Sequence, residues 1–209
     1  MKCLFFNLKG GVGKSSIALN YALFNDFSYV TNDIITNIDK EYMEDLYQIP
    51  HGMKRIPKNL LELDDVVMDF GAMSSVIDSK VTHAVLHADV VVIPTLTDAR
   101  SVQATVESYK LIQNDAKCII IIINNYSKNA KFDYAYELLT TELSNPIILD
   151  IRTTTLFERV ARDGIEWFDN VGHQKGEFKL LQTKELHEDV YRTINMIVKG
   201  NNAKYASKV

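Results

Sequence analysis

The chain has 209 residues, enough for one domain with a sizeable core, and its 46% hydrophobic and 24% charged residues are typical of a soluble globular protein. The net charge of −4 excludes a protein that is basic throughout, as many nucleic-acid-binding proteins are. Charge is unevenly distributed, because residues 171–209 hold seven Lys/Arg against four Asp/Glu and follow an acidic body.

Cysteine usage and the N-terminus indicate a cytoplasmic protein. Cys3 and Cys118 both lie in apolar, strand-like runs, which fits buried thiols in a reducing compartment rather than a disulfide framework. No Cys-x-x-Cys motif is present to hold a metal or an iron–sulfur cluster. We expect no signal peptide, and the aliphatic run Ile119–Ile123 is too short to cross a bilayer. Residues 1–209 are therefore expected to form a single soluble domain.

The first third of the chain predicts a strand, a glycine-rich turn, a helix and a second strand. The apolar run Cys3–Phe6 predicts the first strand, and an amphipathic helix is expected to begin near Lys14. Phe27–Thr31 predicts the second strand, which ends at Asn32-Asp33. Residues 34–64 are less regular: the pattern favours a helix over Glu41–Tyr47 and a short strand over Met53–Ile56.

Strands and helices then alternate to the end of the chain. The expected strands are Asp65–Asp69, Ala88–Pro94, Lys117–Ile123 and Pro146–Leu149. The expected helices are Ser74–His87, Asp98–Gln113 with Asp98 as N-cap, Ala130–Leu143, Thr155–Arg162 ending at Gly164, and Leu186–Val198, whose apolar face is Leu186, Val190, Ile194 and Ile197. Residues 200–209 are expected to be frayed. This order predicts an α/β fold with a mostly parallel central sheet, flanked by helices on both faces, and ligands at the carboxyl ends of its strands.

The glycine-rich turn has the sequence Lys9-Gly10-Gly11-Val12-Gly13-Lys14-Ser15-Ser16. Glycines let backbone N–H groups surround an anion, and the following helix adds the positive end of its dipole. Lys14 is placed to reach the β- and γ-phosphates of a nucleotide, and the Ser15 hydroxyl to ligate Mg²⁺. The turn is therefore predicted to bind nucleotide phosphates.

Two common glycine-rich patterns, the dinucleotide-binding turn and the ordinary P-loop, match this turn only in part. A dinucleotide-binding turn is an alternative because Gly11-Val12-Gly13 begins a G-x-G-x-x-G match, but Ser16 replaces its third glycine and Lys14 has no role in it. The ordinary P-loop pattern G-x-x-x-x-G-K-[ST] is also broken, since Leu8 stands at its first glycine. A second lysine, Lys9, instead precedes the glycine pair.

The sequence Lys-Gly-Gly-x-Gly-Lys-Ser resembles the deviant Walker A motif of the ParA/MinD group of P-loop ATPases. This resemblance implies that Lys9 reaches across a dimer interface to the phosphates bound by the partner subunit. The working unit would then be an ATP-sandwiched homodimer. The resemblance covers most of the chain, with the P-loop as its one sharp motif and the order of elements as the rest.

Two aspartates are candidates for orienting the metal ion and the attacking water. Asp69 closes an apolar strand as a Walker B aspartate does, where a carboxylate orients Mg²⁺ or its water ligands beside Ser15. Phe70-Gly71-Ala72 resembles the switch segment of the family. Asp33 matches the family's aspartate in an Asp-x-Asp-Pro context, although Thr31 replaces the first acid and the proline is missing. Asp39 is an alternative to Asp33 if the strand ends later.

The implied reaction is slow hydrolysis of ATP to ADP and phosphate. Lys9, Lys14, Mg²⁺ and the loop N–H groups would neutralise charge around the γ-phosphate, and Asp33 would orient the water. Asn124 and Asn125 end a strand where the family meets the adenine, and turn-forming asparagines are the alternative. A metal pair of His83 and His87 on one helix lacks a third ligand nearby.

Exclusion within the family favours DNA partition. A MinD-like membrane helix would need a bulky apolar face that residues 199–209 lack, so no membrane contact is expected. Nitrogenase-reductase-like and cluster-carrier members need paired cysteines, which this sequence lacks. Tyrosine-kinase relatives end in a cluster of tyrosines, whereas here Tyr205 stands alone. A positioning ATPase for a protein cargo and a ligase of the dethiobiotin-synthetase type remain alternatives.

A partition ATPase is expected to bind DNA through phosphates, without sequence preference, and to be activated by a centromere-binding, ParB-like partner. Such a protein would be nucleoid-associated. The candidate DNA-binding residues are the basic residues of the C-terminal part, with Arg152 nearby in sequence: Lys175, Lys179, Lys184, Arg192, Lys199 and Lys204.

Overall fold

The computed structural model describes residues 1–32, 45–50, 53–70, 79–157, 159, 170–171 and 177–206, with side chains up to residue 201. Seven strands lie within these residues and form one sheet. They are β1 (Lys2–Phe5), β2 (Ser28–Thr31), β3 (Leu46–Gln48), β4 (Val66–Asp69), β5 (Val90–Thr95), β6 (Ile119–Tyr126) and β7 (Ile147–Arg152).

Six helices with both ends in the described residues connect or follow these strands. They are α1 (Lys14–Asn25), α2 (Lys58–Leu61), α3 (Ser79–His87), α4 (Ala99–Ile112), α5 (Asn129–Glu142) and α6 (Phe178–Ala206). Residues 156, 157 and 159 are also helical, whereas Thr155, where the helix over Thr155–Arg162 was predicted to begin, is not. No helix in the described ranges is both long and apolar enough to span a lipid bilayer.

The sheet has the strand order β3-β2-β4-β1-β5-β6-β7, and every described pairing is parallel. The predicted α/β class with a parallel sheet is therefore confirmed. β1 lies at the centre, with Phe5 opposite both Asp69 of β4 and Val92 of β5. The turn that leaves β1 thus emerges at the carboxyl edge of the sheet, where ligands of open parallel sheets bind.

Alternate residues of the central strands enter two hydrophobic layers, as the period of two in a β-strand requires. Leu4 and Phe6 face the layer that contains residues of α3, α4 and α5. Cys3 and Phe5 face the other layer, which contains residues of α1 and α6. Both cysteines, Cys3 and Cys118, are buried free thiols, as the sequence predicted.

The segment between β2 and β4 differs from the prediction. Residues 41–44 of the helix expected over Glu41–Tyr47 lie outside the described residues. Its end is wrong, because Leu46 and Tyr47 belong to the edge strand β3, which pairs with β2. The strand expected over Met53–Ile56 is absent from those four described residues, which are irregular, and the short helix α2 follows Pro57. Backbone bonding to a neighbouring strand outweighs local helical spacing here.

The C-terminal helix is longer than predicted, and three of the four residues of its predicted apolar face lie in or against the core. It begins at Phe178 and continues through Gly200 to Ala206, so the fraying expected from residue 200 is wrong for residues 200–206. Of that face, Ile194 is buried, and Val190 and Ile197 pack against the same core cluster. Leu186 is the exception and is 64% exposed. The buried face consists of His187, Tyr191, Ile194 and Val198. One interior glycine costs a helix about 1 kcal/mol, which tertiary packing readily offsets.

Helix α6 packs directly on α1, the helix that follows the glycine-rich turn. The Tyr21 and Tyr191 rings meet edge to face with centroids 5.4 Å apart. The Tyr21 hydroxyl donates to Asn195 Oδ1, and Asn195 Nδ2 donates to Asn25 Oδ1 at 2.6 Å. These polar contacts sit within an aromatic layer, so the two helices are held in a defined register.

His187 gives the fold a dependence on pH. Its side chain is buried and stacks on Phe157 with ring centroids 5.1 Å apart, and this burial lowers the pKa of His187 to about 4. The unfolded chain takes up a proton near pH 6.5, whereas the folded chain does so only near pH 4. We expect the free energy of unfolding to fall as the pH falls between these values, by about 2 kcal/mol from pH 7.5 to pH 5.

Denaturant titrations of the wild type and His187→Phe at the two pH values test this prediction. The phenylalanine keeps a ring against Phe157 and cannot titrate, so His187→Phe should lose less stability on acidification. His87→Gln, which changes an exposed histidine, serves as the control and should behave as the wild type. An identical pH dependence in the wild type and His187→Phe would contradict the prediction.

Candidate functional site

The glycine-rich turn adopts a conformation that needs glycine at two positions. Gly11 has φ +72° and Gly13 has φ +85°, both in the left-handed region that side chains disfavour. Gly13 is also the N-cap of α1 and offers no side-chain acceptor to the first N–H groups of the helix. The first turn of α1 is therefore suited to accept an anion in place of a capping side chain.

Asn7 anchors the start of the turn to the sheet and to α4. Its Nδ2 donates to the carbonyl of Pro94 at 2.8 Å and to Thr105 Oγ1 at 2.9 Å. Its Oδ1 accepts from the backbone N–H of Lys9 at 2.8 Å. Asn7 is buried, so these bonds form in a protected environment and fix the direction in which the chain leaves β1.

Asn124 supports the turn from the other side. Its Nδ2 donates to the carbonyl of Val12 at 3.2 Å, and a Cβ added at Gly13 would lie only 2.3 Å from the same nitrogen. Both asparagines lie at the end of a strand, as predicted, since β6 continues through them to Tyr126. Asn125 is the extra residue of an irregularity in β6, exposed and at φ +57°.

The two lysines of the motif lie in different surroundings. Lys14 is buried, and its Nζ donates to the carbonyl of Lys9 at 3.5 Å, so its chain folds back over the turn. The Lys9 side chain is 33% exposed and points to the start of α4. There its Nζ donates to Ser101 Oγ at 2.6 Å and lies 3.6 Å from Asp98 Oδ2.

Asp98 is therefore both a helix cap and a partner of Lys9. Its Oδ1 accepts from the backbone N–H of Ser101 at 3.1 Å, which confirms the predicted N-cap. Hydrogen bonds from the Ser101 side chain and backbone, together with the charge of Lys9, hold the pKa of Asp98 below its ordinary value. Because the Lys9–Asp98 pair is partly exposed, it contributes at most about 1 kcal/mol.

Asp69 ends β4 beside the turn and is fully buried. It lies opposite Phe5, the last residue of β1, and opposite Thr31 of β2. Its Oδ2 accepts a hydrogen bond from the Tyr29 hydroxyl at 2.7 Å. A buried carboxylate at this edge fits the predicted metal-orienting role, which remains a prediction.

Several predicted residues fall outside the described part of the chain. Asp33, its alternative Asp39, the basic residue Lys175 and the pair Gly71-Ala72 are not among the described residues. Of the predicted switch segment only Phe70 is described, and it is buried under the ammonium group of Lys80, 5.5 Å from the ring centroid. The side chain of Lys204 is likewise not described.

The basic residues of α6 with described side chains differ in exposure and in partners. Lys179 and Lys199 are exposed, and Lys184 is half-buried. Arg192 is bound by Asp189 at 2.6 Å and Glu188 at 3.0 Å, and its guanidinium lies 5.3 Å from the Phe24 ring centroid. Arg192 is therefore the weakest of these candidates for DNA phosphates.

Arg152 and the histidine pair serve other contacts. Arg152 donates to Asn129 Oδ1 at 3.1 Å and lies over the Tyr126 ring. The rings of His83 and His87 meet edge to face with centroids 4.6 Å apart, but no cluster of three metal-ligating side chains occurs among the described residues. The histidine pair therefore gains no third ligand from the described fold.

The residues present fit a nucleotide with Mg²⁺. Gly10, Gly11, Ser15 and Ser16 are exposed around the turn, so a phosphate chain can approach the backbone and both hydroxyls. A buried lysine and a buried carboxylate border the same turn. The sequence did not predict three supporting side chains, Asn7, Tyr29 and Ser101, because each contacts a residue far away in the chain or on another element.

Comparisons with known proteins agree with the fold. No protein-family model matches the sequence, and no curated protein sequence matches it significantly. Solved structures do match. A ParA family ATPase from Chlorobium tepidum TLS superposes with a TM-score of 0.62 at 18% identity, covering 91% of this chain and 96% of that chain.

Two structures of cell-division proteins match to a similar degree. A chain of the MinC:MinD complex of Aquifex aeolicus has a TM-score of 0.62 at 16% identity, covering 92% of this chain and 94% of that chain. The septum site-determining protein MinD of Pyrococcus horikoshii OT3, complexed with Mg-ADP, has a TM-score of 0.59 at 15% identity, covering 90% and 95%. This chain therefore has the fold of the ParA- and MinD-type P-loop ATPases.

Proposed function

We propose that this chain is an ATPase that binds ATP with Mg²⁺ at the Lys9–Ser16 turn, dimerises in the ATP state and hydrolyses ATP slowly. The observation that carries the proposal is the turn itself. Gly11 and Gly13 at positive φ, an N-cap without a side chain and the folded-back Lys14 together form a site for a polyphosphate.

Each residue of the turn has a defined task in this proposal. Lys14 neutralises the β- and γ-phosphates, and the N–H groups at the start of α1 bind their oxygens. Ser15 and Asp69 would hold the metal, which supplies further charge neutralisation when bound. Asp33 would orient the attacking water, and Asn124 and Asn125 remain the candidates for contacting adenine.

Lys9 would act in the partner subunit rather than in its own. In this single chain its ammonium group contacts Asp98 and Ser101, at the start of α4. That contact is partly exposed and weak, so Lys9 can leave it when a second subunit presents phosphates. Each subunit of the dimer would thereby supply the lysine that the phosphate site of the other subunit lacks.

DNA partition is the cellular role that we propose for this switch. The ParA family ATPase among the similar structures supports it, as does the surplus of basic residues in the C-terminal part. Exposed Lys179 and Lys199 on α6 are the best placed for DNA phosphates. A ParB-like protein would stimulate hydrolysis and release the DNA.

Retention on non-specific DNA with ATP, with ADP and without nucleotide, each across a salt series, tests this role. We expect retention only with ATP, and a fall in affinity with salt, with a slope of about −0.9 per phosphate contact in a plot of log affinity against log salt. Lys179→Ala with Lys199→Ala should lower both affinity and slope. Lys110→Ala, on a helix that packs against the other face of the sheet, is the matched control. Absence of retention in all three states would contradict DNA partition.

A positioning ATPase for a protein cargo is the second candidate. The observation that favours it is the outer face of α6, where Phe178, Leu186 and Met196 expose between 64% and 68% of their surface. Arg192 on the same helix is already bound by two carboxylates. A protein partner would use this apolar surface, and the DNA experiment separates the two candidates.

A further inference from the structure

The hydroxyl of Tyr29 reaches the carboxylate of Asp69 from inside the core. Tyr29 lies on β2 opposite Val67, two residues before Asp69 on the neighbouring strand β4. Val67 and Asp69 share one face of the sheet, so Tyr29 is the diagonal neighbour of the carboxylate on that face. Both side chains are buried, and the Tyr29 hydroxyl lies 2.7 Å from Asp69 Oδ2.

This bond restricts the carboxylate at the point where a metal would be held. A buried O–H donor on one oxygen fixes the plane of the carboxylate and disfavours its rotation. Tyr29 is 2% exposed and belongs to the buried cluster under α1 that also contains Phe5, Ile17 and Tyr21, so its ring has little room to move. Partners of this kind orient metal-binding carboxylates, and removing them weakens metal binding by about 10- to 100-fold.

We propose that Tyr29 is a positioning residue that orients Asp69 for Mg²⁺, an inference that rests on the proposed function. Tyr29 does not contact the nucleotide; it acts through Asp69. Its ring contributes to the core, whereas its hydroxyl serves the metal site. The substitution Tyr29→Phe separates these two contributions, because it removes only the oxygen.

ATP binding, measured by fluorescence titration in EDTA and across a Mg²⁺ series, tests the proposal without relying on hydrolysis. For Tyr29→Phe we expect unchanged affinity in EDTA and a rise of about tenfold in the Mg²⁺ concentration that gives the half-maximal increase in affinity. In the Asp69→Asn background, where the carboxylate is gone, Tyr29→Phe should change the affinity in Mg²⁺ by less than about twofold.

Tyr21→Phe is the matched control. Tyr21 lies in the same layer and its buried hydroxyl also donates to a side-chain oxygen, that of Asn195, away from Asp69. Its Mg²⁺ dependence should equal that of the wild type. Equal Mg²⁺ midpoints in Tyr29→Phe and the wild type would overturn the inference alone, as would an equal loss of binding in EDTA and in Mg²⁺. A wild type that binds no ATP would instead overturn the proposed function, and the inference with it.

Discussion

Replacing Lys14 with alanine is expected to lower the affinity for ATP by about 100-fold, because the variant loses the buried ammonium group proposed to bind the phosphate oxygens. Replacing Lys9 with alanine is expected to leave ATP affinity within about fivefold of the wild type and yet to abolish the ATP-dependent dimer. The two lysines differ because Lys14 folds over its own turn, whereas Lys9 extends to the start of α4.

Size-exclusion chromatography with and without ATP, combined with ATP titration, measures both effects on the same samples. Asp98→Asn provides the informative companion variant. Asparagine caps a helix as well as aspartate does, so α4 keeps its N-cap while Lys9 loses its charged partner. The ATP-dependent dimer of Asp98→Asn should therefore form at lower protein concentration. An equal loss of ATP binding in Lys9→Ala and Lys14→Ala would remove the proposed role of Lys9 in the partner's site.

Replacing Gly13 with alanine is expected to destabilise the fold by about 2 to 3 kcal/mol, from two separate causes. Alanine at φ +85° costs about 1 kcal/mol in backbone strain. Its Cβ would also lie 2.3 Å from Asn124 Nδ2, so Asn124 must leave its hydrogen bond to Val12. Denaturant titration at neutral pH measures the loss.

Two further variants separate these causes. Gly11→Ala has φ +72° but no atom within 4 Å of the new Cβ, so it should show the strain alone, about 1 kcal/mol. Combining Gly13→Ala with Asn124→Ala removes the clash, and the double variant should be more stable than the sum of the single effects predicts. Equal losses in Gly11→Ala and Gly13→Ala would show that the Asn124 contact has no energetic weight.

The sequence predicted those parts of the fold that depend on local patterns. The glycine-rich turn, the start of α1 at Lys14, the buried strand that ends at Asp69 and the N-cap of α4 all follow from residue type and spacing over a few positions. The alternation of strands with helices was enough to predict the parallel sheet. Its central strands were recognisable because buried parallel strands are continuously apolar.

Parts of the fold that depend on contacts with residues far away in the sequence were not predicted. β3 is only three residues long and is held by β2, so nothing in its own sequence marks it as a strand. Helix α6 presents His187 and Tyr191 to the core in place of Leu186, because aromatic partners on α1 and Phe157 fit that face.

The candidate site also contains residues that the sequence predicts and contacts that it does not predict. The residues of the turn and Asp69 were recognisable from their motifs. The contact between Lys9 and Asp98 joins positions about 90 residues apart, and that between Tyr29 and Asp69 joins two strands, so neither has a local pattern. Such bonds can be found only when the strands and helices are placed in space.

The packing of α6 on α1 has a mechanical consequence. Tyr21 and Asn25 on α1 connect the helix that carries Lys14 to Asn195 and Tyr191 on α6. Well-packed helices move as rigid bodies rather than deforming, so a tilt of α1 on phosphate binding would displace α6 by a similar angle. The outer surface of α6 would then change position with the nucleotide state, and a partner bound to that surface would be affected by the change.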